Sequence, residues 1–295
     1  MNVLHNGCCI EYMKPLADGS VDHVITDPPY LYLDHKLDRQ FDEEAFFTEC
    51  KRVIKKTGSL VFFGRAPSVC KWVCICDALG FKFKEELVWD KKRISTPCLN
   101  ILRKHEMAYV FGAGSCFTIN KVKIDVYADR WNKEEAYKFE RDLRDFVNKM
   151  KSIETGEEFL EWRHGNYTVK QKHKHKISGG FSMTMATEHS HRMYKTYSEG
   201  LTLQSIIACG RDHYTAQHPT QKPVELMQYL IKLVSKEGEV VLDPFMGGGS
   251  TGVACRNLNR QFIGCEIDEE YYNIAANRIE KEGNYKPSLF SEEQL

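Results

Sequence analysis

Apolar positions in the first third of the chain alternate between short buried runs and amphipathic helical patterns. A strand is expected where apolar residues form a short run, and a helix where they recur every three or four positions. In chain order these patterns predict a strand at Val21–Ile25, a helix at Phe41–Lys56 that Gly58 ends, a strand at Ser59–Phe63, and a helix from Pro67 to Gly80. Strands that alternate with helices build βαβ units, so an α/β protein with a mostly parallel sheet is predicted.

The rest of the chain first continues this alternation of strands and helices, then loses it, and later regains it. Strands are predicted at Phe81–Asp90 and His105–Phe111, after which the pattern breaks down at Gly112. Only one charged amphipathic helix, Lys133–Ile153, stands out before the rhythm returns near residue 217. The predicted organisation is therefore half of an α/β domain at 1–112, an insert at 113–216, the second half at 217–282 and a polar tail at 283–295.

Composition narrows the class of protein. The 41 basic residues balance the 41 acidic ones, so any nucleic-acid surface must come from an uneven distribution of charge. No apolar run approaches the roughly 18 residues of a membrane span, and the start lacks the features of a secretory signal. Eleven cysteines without a C-x-x-C pair indicate reduced, mostly buried thiols rather than zinc ligands, and no metal is expected. A cytoplasmic protein is predicted.

The stretch Asp27-Pro28-Pro29-Tyr30 follows the first predicted buried strand. The two prolines lack an N–H group and fix φ, so the chain leaves the strand on a rigid path. A carboxylate, peptide carbonyls and an aromatic ring are thereby held at the carboxyl end of a strand, where open α/β sheets place their active sites. Such a set suits a planar group with an exocyclic NH2. The alternative interpretation is an ordinary turn, which Asp and Pro also favour.

A second stretch has the spacing of a nucleotide-binding loop. Gly247, Gly249 and Gly252 follow a short predicted strand in the order G-x-G-x-x-G, and a helix is expected next. Glu266 ends the following predicted strand, 17 positions beyond Gly249, where an acid typically binds ribose hydroxyls. The spacing predicts an adenosine-containing cofactor. An NAD-dependent oxidoreductase would have the same pattern, although it leaves the Asp-Pro-Pro-Tyr stretch unexplained.

Four segments taken together resemble those of the DNA amino-methyltransferases, which transfer methyl from S-adenosylmethionine to adenine N6 or cytosine N4. These segments are Asp27-Pro-Pro-Tyr30, His218-Pro-Thr-Gln-Lys-Pro223, Asp243-Pro-Phe-Met-Gly-Gly-Gly-Ser-Thr251 and Phe262-Ile-Gly-Cys-Glu266. The catalytic tetrapeptide precedes the cofactor loop, an order that resembles the circularly permuted β group of this family. The resemblance covers roughly residues 1–112 and 214–280.

The resemblance implies a Rossmann-like fold with a mostly parallel seven-stranded sheet, permuted and interrupted by a target-recognition insert. Residues 1–112 would be the catalytic half, 113–216 the insert and 217–282 the cofactor-binding half. The implied activity is site-specific methylation of adenine N6 in double-stranded DNA by a prokaryotic or phage-encoded protein. Asp rather than Ser before Pro-Pro-Tyr favours adenine over cytosine N4, which stays the alternative. A homodimer and a cognate restriction enzyme are possible partners, and a catalytically silent DNA-binding module is a further alternative.

The resemblance also implies roles for individual residues. The predicted catalytic residues are Asp27, Pro28, Pro29 and Tyr30. The predicted cofactor-binding residues are Cys8, Asp27, Thr220, Lys222, Asp243, Phe245, Gly247, Gly249, Ser250, Thr251 and Glu266. Cys8 departs from the family pattern, because an acid usually stands there, near the adenine of the cofactor.

Two basic stretches are candidates for contact with DNA phosphates. The first is the loop that carries Lys91, Lys92 and Arg93, and the second is the patch of Lys170, Lys172, Lys174 and Lys176. The patch lies in a segment from Arg163 to Arg211 with eight basic residues against two acids, so it concentrates positive charge on a neutral protein. A solvated loop is the alternative for each stretch.

Overall fold

A single mixed β-sheet is the framework of the larger of two units in the computed structural model, which describes residues 2–30, 38–92, 103–124, 141, 201–202, 205–210 and 218–282. One unit comprises Met1–Val122 with Gln204–Leu295, and the other comprises Lys123–Leu203. The predicted insert at 113–216 contains this smaller unit. Ala113 hydrogen-bonds to Gly58 and Asn120 to Leu233, which ties residues 113–122 to the larger unit.

The sheet has eight strands, one more than predicted. In chain order they are β1 (Asn2–Asn6), β2 (Val21–Thr26), β3 (Ile54–Gly64), β4 (Lys82–Asp90), β5 (His105–Gly112), β8 (Ile206–Ala208), β9 (Val240–Asp243) and β10 (Gln261–Glu266). Their spatial order is β1-β10-β9-β2-β3-β5-β4-β8. All strands of this sheet are parallel to one another except β5, which is antiparallel to its neighbours β3 and β4. The additional strand is β8, which pairs with β4 at the edge. In the smaller unit, β6 (Lys123–Ile124) and β7 (Leu201–Thr202) form an antiparallel pair.

Helices connect these strands as the βαβ pattern predicts. They are α1 (Cys9–Met13), α2 (Glu43–Val53), α3 (Ser68–Ala78), α4 (Val224–Val234), α5 (Ser250–Asn257) and α6 (Glu269–Glu282). The predicted end of α2 at Lys56 is wrong, because Ile54 already begins β3. Gly58 lies inside that strand rather than after a helix. A Cβ at Gly58 would stand 1.9 Å from the carbonyl oxygen of Asp22, so the close approach of β2 requires glycine there.

An aromatic cluster fills the space between α2, α3 and the sheet. The rings of Phe47 and Phe62 lie 5.5 Å apart, and Phe62 stacks on Phe111 at 5.6 Å. Trp72 of α3 packs edge-on against Phe62 at 6.0 Å, and all four side chains are fully buried. Because packed aromatic rings leave few alternative rotamers, this cluster fixes α3 against the strands that carry the site.

Most cysteines are buried, as predicted. Among the ten that the structure describes, six are buried and all ten are free thiols. Burial raises the pKa of Cys9 to about 12, so its thiol stays protonated at neutral pH. The prediction does not hold for the four exposed ones, Cys8, Cys70, Cys74 and Cys116.

Several predicted features lie outside the described residues. They are the helix Lys133–Ile153 apart from Arg141, the patch Lys170–Lys176, Arg93 and the tail 283–295. Within the part of the chain that the structure describes, no helix is long and apolar enough to cross a membrane. The same residues contain no group of three or more His, Cys, Asp or Glu side chains placed to hold a metal ion.

Asp42 caps the N-terminus of α2, since its Oδ1 accepts a hydrogen bond of 3.0 Å from the amide of Ala45. Asp42→Ala leaves that amide without its partner. We expect the free energy of unfolding to fall by about 1 kcal/mol in urea titrations. Asp42→Asn is the control, because an asparagine oxygen caps a helix nearly as well. Equal stability of the alanine variant and the wild type would contradict the capping role.

Candidate active site

The carboxyl ends of four parallel strands, β1, β10, β9 and β2, meet at one edge of the sheet. Asp27 directly follows β2, while Asp243 ends β9 and Glu266 ends β10. The hydroxyl of Thr26 donates a 2.8 Å hydrogen bond to Oδ1 of Asp243, which ties the tetrapeptide to the glycine loop. The two motifs, more than 200 positions apart in the sequence, therefore lie side by side, where open α/β sheets place ligands.

Asp27 is held by contacts to both of its carboxylate oxygens. The phenol of Tyr30 donates to Oδ1, and the ammonium of Lys222 donates to Oδ2 in a close ion pair. Burial raises the pKa of Asp27, while Lys222 and the Tyr30 hydroxyl oppose that rise. Each carboxylate oxygen has two lone pairs, so Asp27 can still accept a further hydrogen bond.

Two residues of helix α3 hold Tyr30 in place. The hydroxyl of Ser68 donates to the Tyr30 carbonyl at 2.7 Å, and the Tyr30 ring lies 6.2 Å from that of Trp72. Trp72 is itself held, because its Nε1 donates to Glu43 at 2.8 Å. Sequence reasoning did not identify Ser68 or Trp72. They hold the tetrapeptide in place through the packing of α3.

Lys222 belongs to a chain of charges that also includes the half-buried Glu106 and the buried Lys91. The Lys222 ammonium lies 3.3 Å from Oε2 of Glu106, and the Lys91 ammonium lies 3.2 Å from Oε1 of the same carboxylate. Burial alone would lower the pKa of Lys222, but Asp27 and Glu106 together raise it. Burial would likewise raise the pKa of Glu106, but Lys222 and Lys91 hold it below its usual value. Lys222 and Glu106 are therefore kept in their charged forms.

This chain of charges corrects one predicted DNA contact. The side chain of Lys91 is 7 % exposed and turned toward Glu106, so it is not placed to reach a phosphate. Lys92 is exposed and stays a candidate. Glu106 was missed because it belongs to none of the recognised motifs. Its place in the site follows from the reversed direction of β5, which brings the first residues of that strand to the edge where the parallel strands end.

Glu266 is fixed by backbone amides at the end of β10. Its Oε2 accepts from the amide of Gly247 at 3.0 Å, and its Oε1 accepts from the amide of Asp268 at 2.9 Å. Burial raises the pKa of Glu266, and these amides partly offset the rise. The carboxylate keeps lone pairs for two hydroxyl donors, which is what a ribose offers. Its position is consistent with the predicted ribose contact.

Asp243 organises the glycine loop from inside. Besides Thr26, it accepts hydrogen bonds from the hydroxyl of Thr251 at 2.5 Å and from the amide of Phe245 at 3.1 Å. Burial raises its pKa to about 6 despite these donors. Because the Asp243 carboxylate and the Thr251 hydroxyl are hydrogen-bonded to each other, we interpret Asp243 and Thr251 as anchors of the loop. This differs from the predicted direct contact with a cofactor.

Ser250 is the feature of the loop that points to a ligand. Its hydroxyl oxygen is buried and has no hydrogen-bond partner among the described residues. Ser250 begins α5 directly after Gly249, whose φ of 78° lies in the left-handed region. Free amides at the start of a helix favour an anionic group. This unpaired hydroxyl, the helix start and Glu266 fit the carboxylate and the ribose of S-adenosylmethionine.

The remaining predicted residues flank this loop. Cys8 precedes α1 beside the end of β1 and is exposed. Thr220 lies close to His218, with its hydroxyl 3.3 Å from the imidazole Nδ1. Phe245 packs against Phe41 with the ring centres 5.2 Å apart. These residues therefore lie close to the ends of the strands that carry Asp27, Asp243 and Glu266, and their roles stay predictions.

Comparison with known proteins agrees with this geometry. A family model of N6 and N4 methyltransferases, described as DNA methylase, matches residues 21–277. Type II methyltransferase M.HpaI of Haemophilus parainfluenzae is 26 % identical, over 93 % of this chain and 73 % of its own length. Type II methyltransferase M2.DpnII of Streptococcus pneumoniae is 22 % identical, over 95 % of this chain and 90 % of its own.

Solved structures show the same fold. M1.HpyAVI in complex with SAM matches with a TM-score of 0.59 at 20 % identity, covering 95 % of this chain and 99 % of that one. PvuII DNA methyltransferase, which is cytosine-N4-specific, also gives 0.59 at 14 % identity, covering 99 % and 89 %. The predicted DNA amino-methyltransferase family and the Rossmann-like fold are confirmed, and the assignment to the circularly permuted β group stays a prediction. The chain belongs to the N6/N4 family of S-adenosylmethionine-dependent DNA methylases.

Proposed function

We propose that this protein methylates N6 of an adenine that has been flipped out of duplex DNA. The observation that carries the proposal is the placement of Asp27, whose carboxylate lies between Tyr30 and Lys222 at the edge that also holds the glycine loop. A base inside a duplex cannot reach such an edge, so the target must leave the stack. Asp rather than Ser before the two prolines favours adenine over cytosine.

Asp27 and the Pro28 carbonyl are the acceptors for the two hydrogens of the target amino group. Accepting both turns the nitrogen lone pair away from these oxygens and fixes its direction. S-adenosylmethionine supplies a methyl group on a positively charged sulfur. As the nitrogen gains the methyl it must lose one proton, and Asp27 would accept it. Most of the rate gain then comes from orientation and electrostatics.

The chain offers a separate contact for each end of the cofactor. Glu266 would accept from the ribose hydroxyls while its bonds to Gly247 and Asp268 keep it in place. The unpaired hydroxyl of Ser250 and the start of α5 would hold the carboxylate of the methionine part. Cys8 stands where an acid usually lies beside the adenine, so either backbone groups or another side chain would hold that ring, or it would be held less tightly.

Analysis of methylated nucleosides tests the choice of base. DNA from cells that express the protein should contain N6-methyladenine, and sequencing of the same DNA should place it within one short site. The alternative product is N4-methylcytosine, because PvuII DNA methyltransferase, which is cytosine-N4-specific, shares this fold. N4-methylcytosine alone would contradict the proposal. A homodimer and a cognate restriction enzyme stay predictions.

We propose that the unit Lys123–Leu203 carries target recognition while the sheet carries the chemistry. This unit interrupts the α/β domain between the two halves of the site, and its sequence holds the basic patch Lys170–Lys176. Lysine is a flexible point charge with little base selectivity, so these four lysines are assigned to phosphates.

Replacing Lys170, Lys172, Lys174 and Lys176 with alanine should weaken binding to all DNA sequences alike. If all four contact phosphate, the slope of log K against log salt should flatten by roughly 3–4 units, because fewer counterions are released. Binding titrations at several salt concentrations measure this slope. A slope that barely moves would instead mean a solvated loop, and an altered site preference at an unchanged slope would mean base contacts.

A further inference from the structure

Glu106 is a carboxylate in the site to which no motif assigns a role. It lies in the second position of β5 and divides its two oxygens between two lysines, Lys222 at 3.3 Å and Lys91 at 3.2 Å. The side chains of these lysines are only 8 % and 7 % exposed. A carboxylate that contacts two buried ammonium groups is part of the electrostatics of the site rather than of the solvated surface.

The charges alternate along the chain Asp27, Lys222, Glu106 and Lys91, and they sum to zero. Lys222 stands between two carboxylates and is attracted by both. Its ammonium also lies 4.7 Å from the centre of the Phe63 ring, which gives it a third fixed neighbour. Its position relative to Asp27 therefore depends on how strongly Glu106 attracts it.

We infer that Glu106 is a positioning residue that shares Lys222 with Asp27 and so keeps Asp27 a strong acceptor for the target amino group. The inference rests on the proposed role of Asp27 in holding that group. Without the charge of Glu106, Lys222 would pair with Asp27 alone. The stronger pairing would make the Asp27 carboxylate a weaker acceptor for other hydrogens. Lys91 would also lose its ion pair with Glu106.

The inference has a signature in the pH dependence of turnover. The titratable groups around Asp27 are Lys222, Tyr30, Glu106, Asp243 and, through Glu106, Lys91. The charge of Glu106 raises the pKa of Asp27. Removing that charge must lower this pKa, so Asp27 would stay ionised to lower pH and would be a weaker base. The acidic limb of the kcat profile should therefore move to lower pH while the plateau falls.

Glu106→Gln tests this, because it keeps the shape and removes the charge. We expect kcat at neutral pH to fall roughly 10-fold, with S-adenosylmethionine affinity within about 2-fold of wild type. The acidic limb should shift downward, and Glu106→Asp should restore it. Asp90→Asn is the matched control, since Asp90 ends the neighbouring strand and pairs with the exposed Lys104 instead of Lys222. Asp90→Asn should change neither kcat nor the acidic limb of its pH profile.

A double-mutant cycle shows whether Glu106 acts through Lys222. In a Lys222→Met background the loss caused by Glu106→Gln should disappear. The same fold loss in both backgrounds, or an acidic limb that does not move in Glu106→Gln, would overturn the inference. If melting curves show that the Lys222→Met variant does not fold, the pH profiles of Glu106→Gln and Glu106→Asp decide alone.

Failure of the inference and failure of the proposed function are distinguishable. Turnover near wild type in an Asp27→Ala variant would refute the role of Asp27 itself. An inactive Asp27→Ala variant together with an unchanged pH profile in Glu106→Gln would refute only the positioning role of Glu106.

Discussion

Asp27→Ala should lower kcat at least about 100-fold while changing the affinity for S-adenosylmethionine only modestly. The carboxylate acts mainly on the target amino group, whereas the proposed cofactor contacts come from Glu266 and Ser250. The variant should also fold, because Lys222 keeps Glu106 as a partner at 3.3 Å when Asp27 is removed. A buried cation without any partner would be far more costly.

Single-turnover methyl transfer and calorimetry with S-adenosylmethionine measure the two quantities separately. Asp27→Asn keeps the shape and one acceptor oxygen, so its turnover should fall between those of the alanine variant and the wild type. Asp18→Ala is a suitable control, because Asp18 is an exposed acid paired with Arg52 away from the site edge. If Asp27→Ala turns over at the wild-type rate, the proposed catalytic role is wrong.

Glu266→Ala should have the opposite profile. Loss of charge-assisted hydrogen bonds to two ribose hydroxyls should weaken cofactor binding by roughly 1.5–3 kcal/mol. The structure adds a second cause, since the amides of Gly247 and Asp268 lose their acceptor and the glycine loop loses a fixed point. Turnover at saturating cofactor should fall much less than in Asp27→Ala.

Two variants separate these causes in calorimetric titrations. Glu266→Gln keeps an oxygen acceptor but loses the charge, so a loss due mainly to charge should be nearly as large as in the alanine variant. Glu270→Ala removes an exposed acid from the first turn of α6 and should bind cofactor as the wild type does. Unchanged affinity in Glu266→Ala would show that another residue binds the ribose.

The sequence predicts those features that depend on local chemistry. Apolar periodicity locates the strands that carry Asp27 and Glu266, and glycine spacing locates the loop between β9 and α5. Parallel strands end at a common edge, and the hydrogen bond between Thr26 and Asp243 shows that the two motifs meet there.

Features that depend on strand direction or on close packing were not predictable in the same way. Nothing local to Glu106 indicates that β5 is reversed, and without that reversal its side chain would lie at the opposite edge. Lys91 is part of a basic run that is typical of an exposed loop, yet its partner lies 15 positions away on the next strand. Gly58 has the sequence context of a helix end, but the carbonyl of Asp22 on β2 requires it.

The ion pair between Asp27 and Lys222 joins residues 195 positions apart, and the bond between Thr26 and Asp243 spans 217. Closing such long loops is slow, because the chain loses entropy before distant contacts compensate for it. During refolding the helices can form early, but the site cannot exist until β2 has paired with β9. Regained methyl transfer is therefore a probe of this long-range pairing, whereas circular dichroism at helical wavelengths follows the faster local steps.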